Sequence, residues 1–312
     1  MPNLYWAQTG GCGGDTLSIM NMTGPSLDET LRRADIDVLY HPSLSVMSAR
    51  DHLALVDQLA DGDLELDFLC VEGSIITGPA DSGLYSTDHH RPHQETVAAL
   101  APKARYVIAL GTCACYGGPD RACHHEDATG LQYFGKERGG FLGEDFQGLA
   151  GTPVINLPAC PVNPEPVKDT LLRLSLGDVP ELDMYGRPED WHGFTVHQGC
   201  TRNEYHEYRC EEFEFGRPGC LFFGLGCRGP MTYSHCNRVL WNGVSSKPRA
   251  GVPCMGCTGP DFPGDAPFMV TPNVAGLPLV LPDGVSRAHY LAYKDLAAEA
   301  APERLINRRN KV

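Results

Sequence analysis

The sequence has few basic residues and no long apolar run. Lysine and arginine total 25 against 39 aspartates and glutamates, which gives a formal net charge of −14 at pH 7. Nucleic acids and anionic membrane surfaces select basic proteins, so the composition argues against both as partners. No stretch approaches the roughly 18 consecutive apolar residues of a transmembrane helix. The first residues, Met-Pro-Asn-Leu-Tyr-Trp, contain neither the basic nor the apolar region of a signal peptide, so we expect a cytoplasmic protein.

Cysteine, in contrast, is abundant. The chain of 312 residues contains 13 cysteines, together with 35 glycines and 25 prolines. A reducing compartment and an odd number of thiols both argue against disulfides. Buried apolar thiols, zinc sites and iron–sulfur clusters remain as explanations. Glycine lets the backbone approach a bulky cofactor, and proline stiffens a loop that holds one.

The first part of the chain alternates between strand and helix patterns. The predicted strands are 3–8, 36–41, 66–72, 105–111 and 153–157, and the predicted helices are 26–34, 49–60, 93–101 and 164–176. Such alternation is typical of an α/β domain with a doubly wound parallel sheet. We expect this domain to span residues 1–178.

Residues 179–312 show little periodicity. Glycine, proline, cysteine and aromatic residues dominate there, and helical patterns are limited to 202–209 and 287–300. A domain with so little regular structure needs another source of cohesion, which metal clusters with cysteine ligands supply. We therefore expect residues 179–312 to form a second, metal-stabilised domain.

Three cysteines follow predicted strands. Cys12 comes after the first strand, Cys113 after the strand at 105–111 and Cys160 after the strand at 153–157. Because ligands of doubly wound sheets bind at the carboxyl ends of the strands, we expect these thiols to converge, with Asp15 three residues after Cys12. Three thiolates and one carboxylate can ligate one iron–sulfur cluster. The alternative is that each is an ordinary buried cysteine.

Two further groups lie in the second domain. The first contains one imidazole and three thiols, and either zinc or a [4Fe–4S] cluster suits it. The second contains three thiols with no fourth ligand at the usual spacing, which favours a [3Fe–4S] cluster. The members of the first group are His197, Cys200, Cys220 and Cys227, and those of the second are Cys236, Cys254 and Cys257.

Several sequence strings around these cysteines resemble the small subunit of [NiFe] hydrogenases, over nearly the whole chain. The strings are Gly111-Thr112-Cys113-Ala114, Asn156-Leu157-Pro158-Ala159-Cys160-Pro161-Val162-Asn163-Pro164, His197-x-x-Cys200, Gly226-Cys227-Arg228-Gly229-Pro230 and Pro253-Cys254-Met255-Gly256-Cys257. The resemblance implies a flavodoxin-like first domain and a second domain rich in iron–sulfur clusters. It also implies a large partner subunit that carries the NiFe(CN)2CO centre.

The family pattern assigns the ligands to three clusters that relay electrons from hydrogen oxidation to an external acceptor or quinone pathway. The implied clusters are a proximal [4Fe–4S] cluster, a medial [3Fe–4S] cluster and a distal [4Fe–4S] cluster. If Asp15 does not bind iron, the proximal cluster would be [3Fe–4S]. The implied ligands are Cys12, Asp15, Cys113 and Cys160 for the proximal cluster, Cys236, Cys254 and Cys257 for the medial cluster, and His197, Cys200, Cys220 and Cys227 for the distal cluster.

Some features depart from the usual family pattern. Asp15 replaces the second thiol of a Cys-x-x-Cys pair, the spacing from Cys220 to Cys227 is one residue longer than expected, and a twin-arginine leader and an anchoring tail are missing. These departures resemble the actinobacterial-type branch, which implies an oxygen-tolerant, high-affinity hydrogen-uptake enzyme. We expect it in the cytoplasm, with any membrane association made through a partner, as an oligomer of heterodimers.

Two residues outside the ligand sets are candidates for supporting roles at the proximal site. Glu72 ends the strand at 66–72, and a hydrogen-bonding role competes there with simple solvation. Cys115 lies two residues after Cys113, where core packing is the alternative to a redox role.

Two other functions remain as alternatives for the whole chain. One is a cluster-binding component of a quinone-reducing dehydrogenase, which normally lacks the second and third ligand groups. The other is a zinc-stabilised interaction protein.

Overall fold

A computed structural model describes residues 1–123, 126–265 and 268–306 and divides them into two compact units. The first contains Met1–Asp190 and Thr258–Pro263, and the second contains the other described residues. The boundary expected at residue 178 lies within the first unit, because the chain beyond it still pairs with the sheet. Asn156 N donates to Gly186 O at 2.7 Å.

Strands and helices alternate through the first unit and become short in the second. The strands are β1 (Asn3–Gln8), β2 (Asp37–Tyr40), β3 (Leu66–Glu72), β4 (Ile75–Ile76), β5 (Thr87–Asp88), β6 (Arg91–Pro92), β7 (Ala104–Leu110), β8 (Ala128–Thr129), β9 (Tyr133–Phe134), β10 (Glu137–Arg138), β11 (Ile155–Leu157), β12 (Asn273–Val274) and β13 (Leu277–Pro278). The α-helices are α1 (Gly14–Met20), α2 (Leu27–Arg33), α3 (Ala49–Asp61), α4 (His93–Leu100), α5 (Gly111–Tyr116), α6 (Gly118–Cys123), α7 (Pro164–Ser175), α8 (Glu189–His192), α9 (Asn203–Glu207), α10 (Phe222–Leu225), α11 (Arg287–Glu299) and α12 (Glu303–Ile306).

One parallel sheet organises the first unit. Its strands lie in the order β11, β7, β3, β1, β2. Counting only these five strands along the chain, the order is 2-1-3-4-5 from the β2 edge, which is the flavodoxin-like arrangement. The predicted fold class, a doubly wound α/β sheet, is therefore confirmed.

Both faces of the sheet are covered. Successive side chains of a strand point to opposite faces, and β1 shows this directly: Leu4 and Trp6 belong to one apolar cluster, whereas Tyr5 and Ala7 belong to the other. The first cluster includes residues of α1, α2 and α7, and the second includes residues of α3, α4 and α5. Because both faces are buried, the sequences of the central strands are continuous runs of mostly apolar residues.

Helix α2 begins directly after Ser26, the first residue of the helix predicted at 26–34, and Ser26 caps it. Ser26 Oγ accepts a hydrogen bond from Glu29 N at 3.4 Å. A cap of this kind contributes about 1 kcal/mol. Helices α1, α5 and α6 were not predicted, and two of them carry candidate ligands.

The second unit has little regular structure, as predicted. Helix α9 is shorter than the helix expected at 202–209, whereas α11 agrees closely with the pattern at 287–300. Ser286 Oγ caps α11 by accepting a hydrogen bond from His289 N at 3.2 Å. Within the described residues, no helix combines the length and apolarity that a membrane crossing requires.

Candidate metal centres

The carboxyl ends of the sheet strands lie in register. Gln8 pairs with Glu72, Glu72 with Leu110, and Leu110 with Leu157. The loops that follow β1, β7 and β11 therefore start from one edge of the sheet, and they carry Cys12, Cys113 and Cys160. The predicted convergence at this edge follows from the strand register alone.

The three thiols and the carboxylate of Asp15 lie close enough beyond this edge to affect one another's charge. Burial raises the pKa of Cys113, and Asp120, Cys160, Asp15 and Cys12 raise it further because their negative charges act on the same thiol. Cys113 lies in the short helix α5 directly after β7. The donor chemistry, three thiols and a carboxylate, suits an iron–sulfur cluster better than it suits an apolar core.

Asp15 occupies the first turn of α1 and is held in place by the backbone. Its Oδ1 accepts a hydrogen bond from Val162 N at 2.6 Å. Burial raises the pKa of Asp15 to about 7, which the Val162 N–H partly offsets. Gly111 has a φ of +77°, and a Cβ there would overlap the Asp15 carboxylate. The glycine thus makes room for this carboxylate at the edge of the sheet.

Glu72 is buried beneath this loop and is not solvated. It is 1% exposed and accepts hydrogen bonds from Thr16 N at 3.0 Å, from Trp6 Nε1 at 3.3 Å and from Thr16 Oγ1. Its carboxylate therefore fixes the residue next to Asp15. Cys115 is fully buried, and its Sγ donates to Ala109 O at 3.5 Å, so it packs behind Cys113.

The distal donors line one small cavity in the second unit. Its walls include His197, Cys200, Cys220 and Cys227, which are the four predicted residues. Burial raises the pKa of Cys227 to about 11 and lowers the pKa of His197. A neutral imidazole is the form that ligates a metal.

Backbone N–H groups point at three of these sulfurs. Arg202 N lies 3.4 Å from Cys200 Sγ, Phe222 N lies 3.4 Å from Cys220 Sγ, and Cys254 N lies 3.3 Å from Cys227 Sγ. Hydrogen bonds to sulfur stabilise negative charge on cluster ligands and raise the reduction potential. The donor set of one imidazole and three thiols, with amides directed at the sulfurs, therefore suits a cluster.

The medial donors form a second group of thiols in the same unit. Burial raises the pKa of Cys254, and Cys227, Cys257 and Cys236 raise it further. Ser234 Oγ lies 3.0 Å from Cys236 Sγ. No fourth cysteine acts on this group in the described residues beyond Cys227, which already lines the distal cavity.

A lysine approaches the medial thiols. Lys247 Nζ lies 3.9 Å from Cys257 Sγ, and its charge lowers the pKa of Cys236, which burial raises to about 11. The structure thus brings together the three thiols that the sequence grouped, with a lysine ammonium close to one of them.

Two polar residues beside the distal cavity escaped the sequence analysis. His206 Nδ1 lies 3.4 Å from Cys220 Sγ, and the His206 ring meets that of His197 with 4.8 Å between centroids. Burial lowers the pKa of His206 to about 4 and raises the pKa of Glu211 to about 7. His206 lies in α9, within the helical pattern predicted at 202–209, but that pattern does not show that its side chain faces the distal cysteines.

Two family matches divide the chain much as the structure does. Residues 12–174 match the family described as NADH ubiquinone oxidoreductase, 20 Kd subunit. Residues 192–269 match the family that describes the C-terminal part of the NiFe/NiFeSe hydrogenase small subunit, and this segment contains all the medial and distal donors. The chain belongs to the NiFe hydrogenase small subunit family. The second match separates it from a dehydrogenase component that has only the first domain.

Individual hydrogenase small subunits show the same relationship. The periplasmic [NiFe] hydrogenase small subunit of Solidesulfovibrio fructosivorans is 30% identical over 268 residues, which covers 84% of this chain and 79% of that protein. The actinobacterial-type NiFe-hydrogenase from Ralstonia eutropha H16 has a TM-score of 0.78 at 30% identity, with 99% of this chain and 92% of that chain covered. The Ni-Fe-Se hydrogenase from Desulfomicrobium baculatum has a TM-score of 0.74 at 32% identity, with 86% and 98% covered.

Membership of this family establishes the general function. The chain is the electron-transfer subunit of an oxidoreductase that acts on hydrogen. Small subunits of this family carry iron–sulfur clusters and form heterodimers with the large subunit, which holds the nickel–iron centre. The structural likeness to the actinobacterial-type enzyme supports the resemblance stated from the sequence.

Proposed function

We propose that the three donor groups hold the proximal, medial and distal clusters of a hydrogen-uptake enzyme. The proximal [4Fe–4S] cluster would bind Cys12, Asp15, Cys113 and Cys160, and the medial [3Fe–4S] cluster would bind Cys236, Cys254 and Cys257. The distal [4Fe–4S] cluster would bind His197 and three thiols. The observation that carries this proposal is the small cavity that these four distal residues line together.

When bound, such clusters accept and release single electrons, which leave the partner's NiFe(CN)2CO centre after hydrogen is oxidised. The residues around a cluster set how easily it gains an electron. Burial disfavours the added negative charge, whereas the backbone amides that point at the sulfurs of Cys200, Cys220 and Cys227 stabilise it. A neutral imidazole donates less electron density than a thiolate, so His197 raises the potential at the distal site.

Metal and sulfide analysis of the co-purified heterodimer tests the cluster assignment. We expect about eleven irons in this chain from two [4Fe–4S] clusters and one [3Fe–4S] cluster, with a brown colour and the EPR signal of an oxidised [3Fe–4S] cluster. The large subunit adds the iron and nickel of its own centre. A colourless preparation that contains zinc in place of iron and sulfide would instead identify a zinc-stabilised protein.

Asp15 is the residue to which we assign the tolerance of oxygen. A carboxylate is a harder and less electron-donating ligand than a thiolate. Replacing Asp15 with cysteine should therefore lower the reduction potential of the proximal cluster and speed inactivation under oxygen. Potentiometric titration followed by EPR measures the first effect, and activity after timed exposure to oxygen measures the second.

Asp120→Asn provides the matched control for that variant. Asp120 also acts on Cys113 electrostatically, but Ser74 Oγ holds it at 2.6 Å and it lies outside the donor set. Loss of its negative charge should raise the proximal potential slightly, opposite in sign to Asp15→Cys. Unchanged potential and oxygen sensitivity in Asp15→Cys would remove Asp15 from the ligand set, and the proximal cluster would then be [3Fe–4S].

The external electron acceptor, a soluble carrier or a quinone, would bind beside the distal donors. A cavity of about 790 Å³ borders His197 and is lined by Tyr233, Tyr290, Tyr293 and Arg209. Aromatic walls and a cationic group suit a planar redox molecule. The cavity thus supports electron exit at the imidazole side of the distal group.

Assembly and location are the remaining parts of the proposal. Helix α11 exposes Leu291, Tyr293 and Leu296, which supports contact with another chain and hence an oligomer of heterodimers. No disulfide joins the 13 cysteines, all of which lie in the described residues, and this supports a reducing compartment such as the cytoplasm. Any membrane association would be made through a partner.

A further inference from the structure

A tight hairpin in the first unit places two histidines in an unfavourable backbone conformation. Asp88 pairs with Arg91 across β5 and β6, so His89 and His90 alone form the turn. Their φ angles are 48° and 69°. Two-residue turns with this geometry favour asparagine and glycine, because other side chains are strained in the left-handed region. Here histidine occupies both positions.

The hairpin brings a carboxylate between two imidazoles. His52 Nδ1 in α3 lies 3.1 Å from Asp88 Oδ2, and His89 Nε2 lies 3.4 Å from Asp88 Oδ1. One ligand atom from each of the three residues lies within 4.8 Å of the other two. The 3.1 and 3.4 Å separations are close to the roughly 3.3 Å between neighbouring ligands that bonds of about 2.0 Å imply around a tetrahedral zinc ion.

His52 is buried, and its Nδ1 faces this space. The residue is 6% exposed, and its Nδ1 lies against the Asp88 carboxylate at 3.1 Å. Burial lowers the pKa of His52, and Asp88 raises it. A cation bound between the two side chains would take the place of the proton that His52 Nδ1 and Asp88 otherwise share.

The other ring nitrogen of His52, Nε2, is hydrogen-bonded to a tyrosine on the side away from Asp88. Tyr5 OH lies 2.7 Å from His52 Nε2, and burial raises the pKa of Tyr5, so the phenol stays neutral. Tyr40 stacks on the His52 ring with 4.0 Å between centroids. Metal-binding histidines typically use their second nitrogen in this way, because the hydrogen bond fixes the ring and the tautomer.

Other charged groups near Asp88 are engaged elsewhere. Arg91 Nη1 lies 3.0 Å from Asp57 Oδ1, and His93 Nδ1 lies 2.9 Å from Ser86 Oγ. A cavity of about 460 Å³ borders His52 and Asp88 and leaves one side of the group open. Three protein ligands with an open side are typical of zinc and iron(II) sites that keep a water ligand.

We propose that His52, Asp88 and His89 bind one divalent transition-metal cation, such as zinc, with a water ligand on the side of the cavity. This site would be separate from the three cluster groups, because it uses none of their residues. It needs no iron–sulfur cluster, so its failure would leave the electron-transfer assignment untouched.

Zinc retention by the co-purified heterodimer tests the site. The complex is incubated with zinc chloride, freed of excess by gel filtration and analysed for zinc and iron by mass spectrometry. We expect about one zinc per heterodimer for the parent, and roughly tenfold less or lower for His89→Asn and His52→Gln. Iron content should not change, which shows that zinc has not displaced the clusters.

His90→Asn is the matched control. His90 shares the turn and the left-handed backbone but is not part of the ligand group, and asparagine tolerates this conformation as well at position 90 as at position 89. The control should retain zinc like the parent. His89 is exposed, so its substitution keeps the test valid if His52→Gln fails to fold.

A second measurement compares melting temperatures with and without zinc. Binding to the folded state alone raises the melting temperature, so zinc should stabilise the parent and His90→Asn but not His89→Asn. Equal zinc retention by the parent and His89→Asn, or no retained zinc in the parent, would overturn the proposal.

Discussion

Replacing Cys227 with alanine should nearly abolish the reduction of an external dye by hydrogen. Cys227 lines the distal cavity, and its Sγ also accepts the hydrogen bond from Cys254 N. The substitution removes a proposed cluster ligand, so we expect a loss larger than the roughly 100-fold that removal of an outer-shell partner can cause. Dye reduction under hydrogen measures this, and iron analysis should show the loss of about one cluster.

Isotope exchange between deuterium gas and the protons of water measures hydrogen splitting separately from electron transfer in the same variant. The exchange reaction takes place at the partner's nickel–iron centre and needs no electron exit through this chain, so it should persist. Cys210→Ala is the control, because Cys210 is a buried cysteine of the same unit whose Sγ contacts the carbonyl oxygens of Tyr208 and Leu305. Full iron content and near-parental dye reduction in Cys227→Ala would contradict the distal assignment.

Replacing Glu72 with alanine should lower the free energy of unfolding more than the other substitutions proposed here. The buried Glu72 carboxylate accepts three hydrogen bonds, and its removal leaves Trp6 Nε1, Thr16 N and Thr16 Oγ1 without their acceptor. Each buried unpaired donor costs about 1–3 kcal/mol, so we expect a loss of roughly 3 kcal/mol or more in the free energy of unfolding. At about 2–4 °C per kcal/mol for a unit of this size, the melting temperature should fall by roughly 6–12 °C.

Calorimetry of the heterodimer measures the change in melting temperature. Glu137→Ala is the matched control, because Glu137 is exposed in β10 and its loss should change stability by no more than about 0.5 kcal/mol. Because Thr16 follows Asp15 directly, Glu72→Ala should also alter the EPR signal of the proximal cluster. Equal melting temperatures for the two variants would show that Glu72 does not anchor this loop.

The sheet was predictable because its strands are buried on both faces. Strands β1 and β3 begin and end where the apolar runs do, at Asn3–Gln8 and Leu66–Glu72. The parallel arrangement then places the residues that follow each strand at one edge. The convergence of Cys12, Cys113 and Cys160 therefore follows from element order without any knowledge of side-chain contacts.

The two helices that carry the candidate ligands Asp15 and Cys113 were not predictable by the same reasoning. Helices α1 and α5 begin at Gly14 and Gly111, and glycine indicates a turn rather than a helix start in a sequence. The reason for Gly111 is tertiary, because the Asp15 carboxylate occupies the space that a side chain at 111 would need. Such a reason appears only once the two loops are folded together.

The surroundings of the distal group were hidden for a different reason. Glu211 lies in an irregular segment, and His206 lies in the short helix α9, where the helical pattern at 202–209 predicts the helix but not what its side chains contact. The imidazole of His206 was therefore missed even though the four cavity-lining donors were inferred from the family strings. The same limit applies to His52, Asp88 and His89, which come from a helix and a hairpin far apart in the chain.

The hydrogen bond from Cys254 N to Cys227 Sγ has a consequence for the energetics of the second unit. It joins a backbone amide of the medial group to a sulfur of the distal group. Negative charge gained by that sulfur strengthens the bond, and any shift of the amide dipole alters the charge that the sulfur tolerates. Thermodynamic reciprocity requires the two influences to be equal, so clusters bound at these two groups, as proposed, would not be reduced independently of each other.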